Sequence, residues 1–135
     1  MRIGTDIIEI ERIRQAYERF PRLAKRILSP NEFQRFIAFP PKRQITFLAG
    51  RFSAKEAYSK AVGTGIGNKL KFSDISIEPD EFGAPLVVSG PVTTQAKVSI
   101  SHAQAYATAT VLIELSDKEI ALALDNHFKE AICDD

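Results

Sequence analysis

A helical pattern over about residues 43–62 stops at Gly63, and past Gly67 the chain changes to strand periodicity. Phe47, Leu48, Phe52, Tyr58 and Val62 recur at helical spacing, so this helix has a side to bury. At about 100° per residue, Arg51 and Lys55 fall inside the same arc as Phe47, Tyr58 and Val62. Glu56 and Lys60 lie four apart on another side, one above the other. Burying ionised groups is costly unless each has a partner, and ligand atoms are one class of partner. Two readings stand: a solvated Glu–Lys pair with two snorkelling cations, or a charged site. The run Gly63, Thr64, Gly65, Gly67 can turn sharply and let its backbone approach another group closely.

The flanking segments complete an outline. Residues 2–8 alternate as a strand, with Ile3, Thr5 and Ile7 on one face and Gly4, Asp6 and Ile8 on the other. Residues 9–19 read as a helix carrying Ile10, Ile13 and Tyr17, followed by a short helix with Leu23, Ile27 and Leu28 and a helical piece over 31–37. Pro40-Pro41 breaks that piece before the long helix. Beyond Gly67, Phe72–Glu78 and Pro85–Ser89 flank a turn-rich stretch as a hairpin, and Val98–Ser101 pairs with Tyr106–Leu115. Ser116 with Glu119 resembles a capping box that opens a C-terminal helix with Ile120, Leu124 and Phe128 on one stripe. The expected class is α+β, with helices packed on an antiparallel sheet in a single domain.

Composition excludes several functions. The 135 residues suit one ordinary core, and no apolar run approaches the ~20 residues of a membrane span. The N-terminus does not read as a signal peptide. The lone Cys133 cannot form an intramolecular disulfide, which suits a reducing, cytoplasmic setting. His102, His127 and Cys133 give no zinc-type spacing. The net charge of +1 hides an asymmetry. Arg12, Arg14, Arg19, Arg22, Lys25 and Arg26 face only Glu11 and Glu18, whereas the tail carries Asp117, Glu119, Asp125, Glu130, Asp134 and Asp135. A basic helical segment on a nearly neutral protein suggests an acidic partner, and nucleic acid is disfavoured for want of a basic domain or aromatic stacking pattern.

Asp6 shares its strand face with Gly4 and Ile8, an unusual place for a carboxylate. It either caps the helix that starts near residue 9 or pairs with Glu56. Two carboxylates with phosphate oxygens and water are what an octahedral Mg²⁺ site usually has. His102 closes the run V-S-I-S-H beside Ser99 and Ser101, either as a hydrogen-bonding strand end or as a contact for a phosphate or base edge.

Three segments together resemble the small, single-domain 4′-phosphopantetheinyl transferases, the holo-[acyl-carrier-protein] synthases. They are GTDIIEIERI at 4–13, FLAGRFSAKEAYSKAVGTGIG at 47–67 and VSISHAQAYA at 98–107. The resemblance covers nearly all of residues 1–115 and leaves 116–135 as a helical extension of the same domain.

It implies a reaction in which Mg²⁺ and coenzyme A serve to place phosphopantetheine on a serine of apo acyl carrier protein, releasing adenosine 3′,5′-bisphosphate. Asp6 and Glu56 match the family's metal carboxylates, and Glu56 is also a candidate base, directly or through water. Lys60 matches a lysine that offsets charge on the departing pyrophosphate. Gly63, Thr64, Gly65, Ser101 and His102 match coenzyme A contacts, with Arg51 and Lys55 as phosphate-binding candidates. Arg12 falls where the family docks its acidic carrier, with Arg19 and Arg22 as helpers. A homotrimer with sites between subunits is implied, so that Asp6 and Glu56 could meet across an interface. Arg2, Ser53 and Ala103 depart from the family's usual residues. A bare acidic-protein-binding module and another Mg²⁺-dependent enzyme, such as a nucleotide pyrophosphohydrolase, are the competing classes.

Overall fold

In the computed structural model, which describes residues 1–133, strand β1 (Arg2–Glu9) leads into helices α1 (Ile10–Arg19), α2 (Leu23–Ile27), α3 (Pro30–Ala38) and α4 (Pro41–Val62). A 3-10 turn (Phe72–Asp74) precedes β2 (Ser76–Pro79), β3 (Pro85–Ser89), β4 (Ala96–His102), β5 (Tyr106–Ile113) and α5 (Asp117–Cys133). Asp134, Asp135 and the Cys133 thiol lie outside the described residues. The expected α+β arrangement holds: β1, β5 and β4 form an antiparallel sheet in that order, and β2–β3 is a separate hairpin.

Alternation in β1 decides which side of the sheet the long helix covers. Gly4, Asp6 and Ile8 face inward with Ala107, Ala109, Val111 and Ile113, and α4 lies across them. At Gly4 the helix touches the strand, since a Cβ there would overlap the Ala57 carbonyl oxygen and stand 2.8 Å from the Ala61 nitrogen. Ser53 adds a tie, its hydroxyl donating to the Asp6 carbonyl at 3.1 Å. One core joins α4 to the sheet and hairpin through Ala57, Tyr58, Ile75, Ile77 and Val111; a second joins α4 to α1–α3 through Ile13, Ile27, Phe36 and Leu48. The outer sheet face is bare. Ile3 is 63% exposed, Ile7 65% and Tyr106 49%, among exposed Thr5, Ser99, Ser101, Thr108 and Thr110.

Boundaries move where end chemistry outweighs periodicity. α4 begins at Pro41, ahead of the expected 43, because proline suits the first helical position. It ends as expected at Gly63, whose φ of 94° is left-handed. Residues 72–74 turn instead of starting a strand, because Asp74 accepts the Lys71 N–H at 2.9 Å and draws the chain into a tight turn. Ser116 and Glu119 form the expected box, and α5 buries Ile120 with Leu124 and Phe128 half-buried.

Candidate active site

The charges on α4 separate into two groups. Lys55 belongs to the interior: it is fully buried, and its ammonium donates to the Ile27 carbonyl at 2.7 Å, Glu32 Oε1 at 2.6 Å and the Phe72 carbonyl at 3.0 Å. All three of its hydrogens are used, so the expectation that Lys55 binds coenzyme A is corrected. Its partner Glu32 is also fully buried and accepts the Ser29 and Ile77 N–H groups at 2.8 and 2.9 Å. Burial draws the Lys55 pKa below the ordinary lysine value, and the Glu32 carboxylate opposes that.

Arg51 is tied to the same carboxylate. Its Nε lies 3.6 Å from Glu32 Oε2, and its guanidinium stacks 4.6 Å from the Phe47 ring centre. Its side chain keeps 12% exposure, and its Nε is buried without a hydrogen-bond partner among the described residues. Ser29 and Glu32 form a capping box on α3. The signature Ser-Pro-Asn-Glu was visible in the sequence and is the signal that could have found Glu32.

The other group faces β1. Lys60 donates to Asp6 Oδ1 at 3.3 Å and to the Thr5 carbonyl at 3.0 Å, so it pairs with the strand and not with Glu56 one turn earlier. The Asp6 carbonyl accepts the Thr108 hydroxyl at 2.9 Å in addition to that of Ser53. Asp6 sits inside β1, three residues before the α1 N-cap Glu9, and no side chain caps α1; the capping reading is overturned. Glu56 is half-buried. Its pKa is raised by desolvation first and by the negative charge of Asp6 second, against the lowering effect of Lys60. The charges of Asp6 and Glu56 therefore act on each other within one chain.

Asp6 Oδ2 is buried and has no hydrogen-bond partner among the described residues. A carboxylate oxygen left open beside a second, destabilised carboxylate is a site short of positive charge. Among the described residues no cluster of three or more metal-ligating side chains exists, so a metal held by Asp6 and Glu56 would take the rest of its shell from elsewhere. That fits Mg²⁺, which keeps several waters and takes the rest of its shell from substrate phosphates. Thr5, Asp6, Ile7, Lys60 and Thr108 line an open cavity of about 420 Å³ at this point.

Gly63, Thr64 and Gly65 begin three residues after Lys60, and the Gly63 and Gly65 N–H groups both donate to the Ser59 carbonyl, at 3.0 and 3.2 Å. Ser101 and His102 are exposed on β4, two strands from β1 across β5, and so stand roughly 10 Å from it. One chain does not bring them to Lys60. Arg12, Arg19 and Arg22 are exposed, and among the described residues no carboxylate pairs with them. Arg14 is different, since Glu11 and Glu18 hold it on α1.

The family model of the 4′-phosphopantetheinyl transferase superfamily matches residues 2–123. A holo-[acyl-carrier-protein] synthase of Anoxybacillus flavithermus is 50% identical over 112 residues, which cover 83% of this chain and 93% of that protein. The crystal structure of a holo-(acyl-carrier-protein) synthase from Bacillus anthracis, in complex with CoA (3′,5′-ADP), is 43% identical with a TM-score of 0.76, covering 85% of this chain and 96% of that one. The Helicobacter pylori enzyme in complex with coenzyme A is 35% identical with a TM-score of 0.72, covering 83% and 99%. The chain belongs to the 4′-phosphopantetheinyl transferase superfamily, among its holo-[acyl-carrier-protein] synthases.

Proposed function

We propose that this chain moves 4′-phosphopantetheine from coenzyme A to a serine of apo acyl carrier protein, with Asp6 and Glu56 holding Mg²⁺. The observation that carries the reading is the open Asp6 Oδ2 beside Glu56, with Lys60 fixed on the other Asp6 oxygen. When bound, Mg²⁺ supplies positive charge to the pyrophosphate oxygens.

The chain's own residues do the remaining work. Glu56 accepts the serine proton directly or through one water. The serine oxygen forms a bond to the β-phosphorus, the pyrophosphate P–O bond breaks, and adenosine 3′,5′-bisphosphate departs with the electron pair. Lys60, held by Asp6 and Thr5, stands where that leaving charge is offset. Gly63, Thr64 and Gly65 give a turn without bulky side chains against which coenzyme A can lie. Arg51, whose side chain keeps 12% exposure, contributes; Lys55 does not.

Ser101 and His102 join the site from a neighbouring subunit of a homotrimer. The support is the bare outer sheet face, where Ile3, Ile7 and Tyr106 lie among neutral hydroxyl side chains. Arg12, Arg19 and Arg22 dock the acidic carrier by charge. A cytoplasmic setting goes with this reading, and no helix among the described residues is long and apolar enough to cross a membrane.

The test is to mix protein, coenzyme A, Mg²⁺ and apo carrier and to weigh the carrier. A mass gain of one phosphopantetheine group is expected, and Glu56→Gln should abolish it while the fold persists. An unchanged carrier mass with the wild-type protein overturns the reading.

A further inference from the structure

The helix α5 extends past the stretch that matches the family model, and beyond that stretch His127 and Phe128 meet segment 66–74. The Lys69 ammonium lies 5.5 Å from the centre of the Phe128 ring, and His127 Nε2 lies 3.5 Å from Asp74 Oδ2. Lys69 and Asp74 belong to segment 66–74, whose Ile66, Lys71 and Phe72 form one wall of a groove of about 540 Å³. Leu23, Lys25 and Arg26 of α2 form the opposite wall. The groove is lined by apolar Leu23, Ile66 and Phe72 together with basic Lys25, Arg26 and Lys71, and Arg22 directly precedes its α2 wall.

The two walls are tied at their base. Lys55 donates to Ile27 at the end of α2 and to Phe72 in the opposite wall, and it directly precedes Glu56. The α2 wall is further fixed by Ala24 and Ile27 in the core. The 66–74 wall is anchored by Leu70 and by the Phe52–Phe72 ring contact at 5.3 Å, but its exposed Lys69 end is held by α5.

We propose that α5 is a positioning element for carrier docking. Phe128 and His127 brace the 66–74 wall and so set the groove's affinity for the acidic carrier protein. The inference rests on the carrier-docking reading above. A cation over an aromatic ring and a weak polar contact are small individually, but both act on one short segment that also lines the groove.

Steady-state kinetics on the full chain, well below its melting temperature, tests this. In Phe128→Ala with His127→Ala, the KM for apo carrier should rise about three- to tenfold, while kcat and the KM for coenzyme A stay unchanged. Phe128→Tyr, which keeps an aromatic face, should restore the wild-type KM. Lys69→Gln combined with Phe128→Ala should raise it no more than Phe128→Ala alone, because both remove the same contact. A lowered melting temperature with an unchanged carrier KM overturns the proposal and leaves α5 a stabilising prop. Arg12→Ala separates the two inferences. If it leaves the carrier KM unchanged, the docking reading itself fails; if it raises that KM and the α5 variants do not, only the bracing role falls.

Discussion

Glu32→Gln tests whether Lys55 is structural. Glu32 is fully buried and receives the Lys55 ammonium, the Ser29 and Ile77 N–H groups, and the near approach of Arg51. A glutamine keeps the volume but removes the carboxylate that two cations, Lys55 and Arg51, approach. Breaking a buried pair on one side costs about 3–5 kcal/mol, because the remaining charge is stranded. That is a large part of the roughly 5–15 kcal/mol that holds a domain together.

Removing the stranded charge reverses much of the loss. Glu32→Gln with Lys55→Met gives up two hydrogen bonds to backbone carbonyls, at about 1 kcal/mol each, but leaves no unpaired lysine. The double variant should therefore be more stable than Glu32→Gln alone, by about 1–2 kcal/mol. Urea unfolding with a shared m-value reads all three proteins.

The pH dependence gives a second check. In Glu32→Gln the Lys55 pKa falls further below its ordinary 10.5, because the carboxylate that raised it is gone. Between the folded and unfolded values the unfolded chain binds the extra proton, so stability rises with pH. The deficit of Glu32→Gln should accordingly shrink as pH climbs toward 10.5. A cost under about 1 kcal/mol, or a double variant less stable than the single, refutes the argument. A large rise in the coenzyme A KM of the double variant would put Lys55 back at the ligand.

Three further outcomes follow from the same geometry. Gly4→Ala should cost at least about 3 kcal/mol or prevent folding, since the new methyl meets helix backbone that cannot yield; an unchanged melting temperature in a thermal scan contradicts this. Glu56→Gln should raise the melting temperature at neutral pH. The native site raises the Glu56 pKa, so that residue's protonated form favours folding below its ordinary 4.5 and this stability is lost as pH rises. The gain of Glu56→Gln should vanish below 4.5, and a gain that is constant with pH rejects the assignment. Ile7→Glu on the bare sheet face should turn the proposed trimer into monomers by light scattering without unfolding the chain, and a wild-type protein already monomeric at working concentration removes the trimer.

The long helix and its glycine stop, the inward face of β1 and the capped C-terminal helix were legible because each is written in local periodicity or end chemistry. The 3-10 turn before β2 was not, because one Asp74 side chain redirected an otherwise strand-like run. The bare outer sheet face was also half-visible: the alternation of Ile3, Thr5 and Ile7 marked a second face, but nothing local told whether solvent or another subunit would cover it.

The harder case is the difference between Lys55 and Lys60. Both stand on one helix, five residues apart, Lys55 inside the apolar arc and Lys60 on another side below Glu56. What separates them is long-range. Lys55 finds a carboxylate 23 residues away and two carbonyls, which exhaust its donors, whereas Lys60 reaches across 54 residues to an aspartate that keeps one buried oxygen open. Periodicity can show that a buried charge needs a partner, but not whether the fold already contains that partner. A site is marked by the groups that folding leaves unsatisfied, and among the described residues these are Asp6 Oδ2 and Arg51 Nε, not the lysine that first drew the eye.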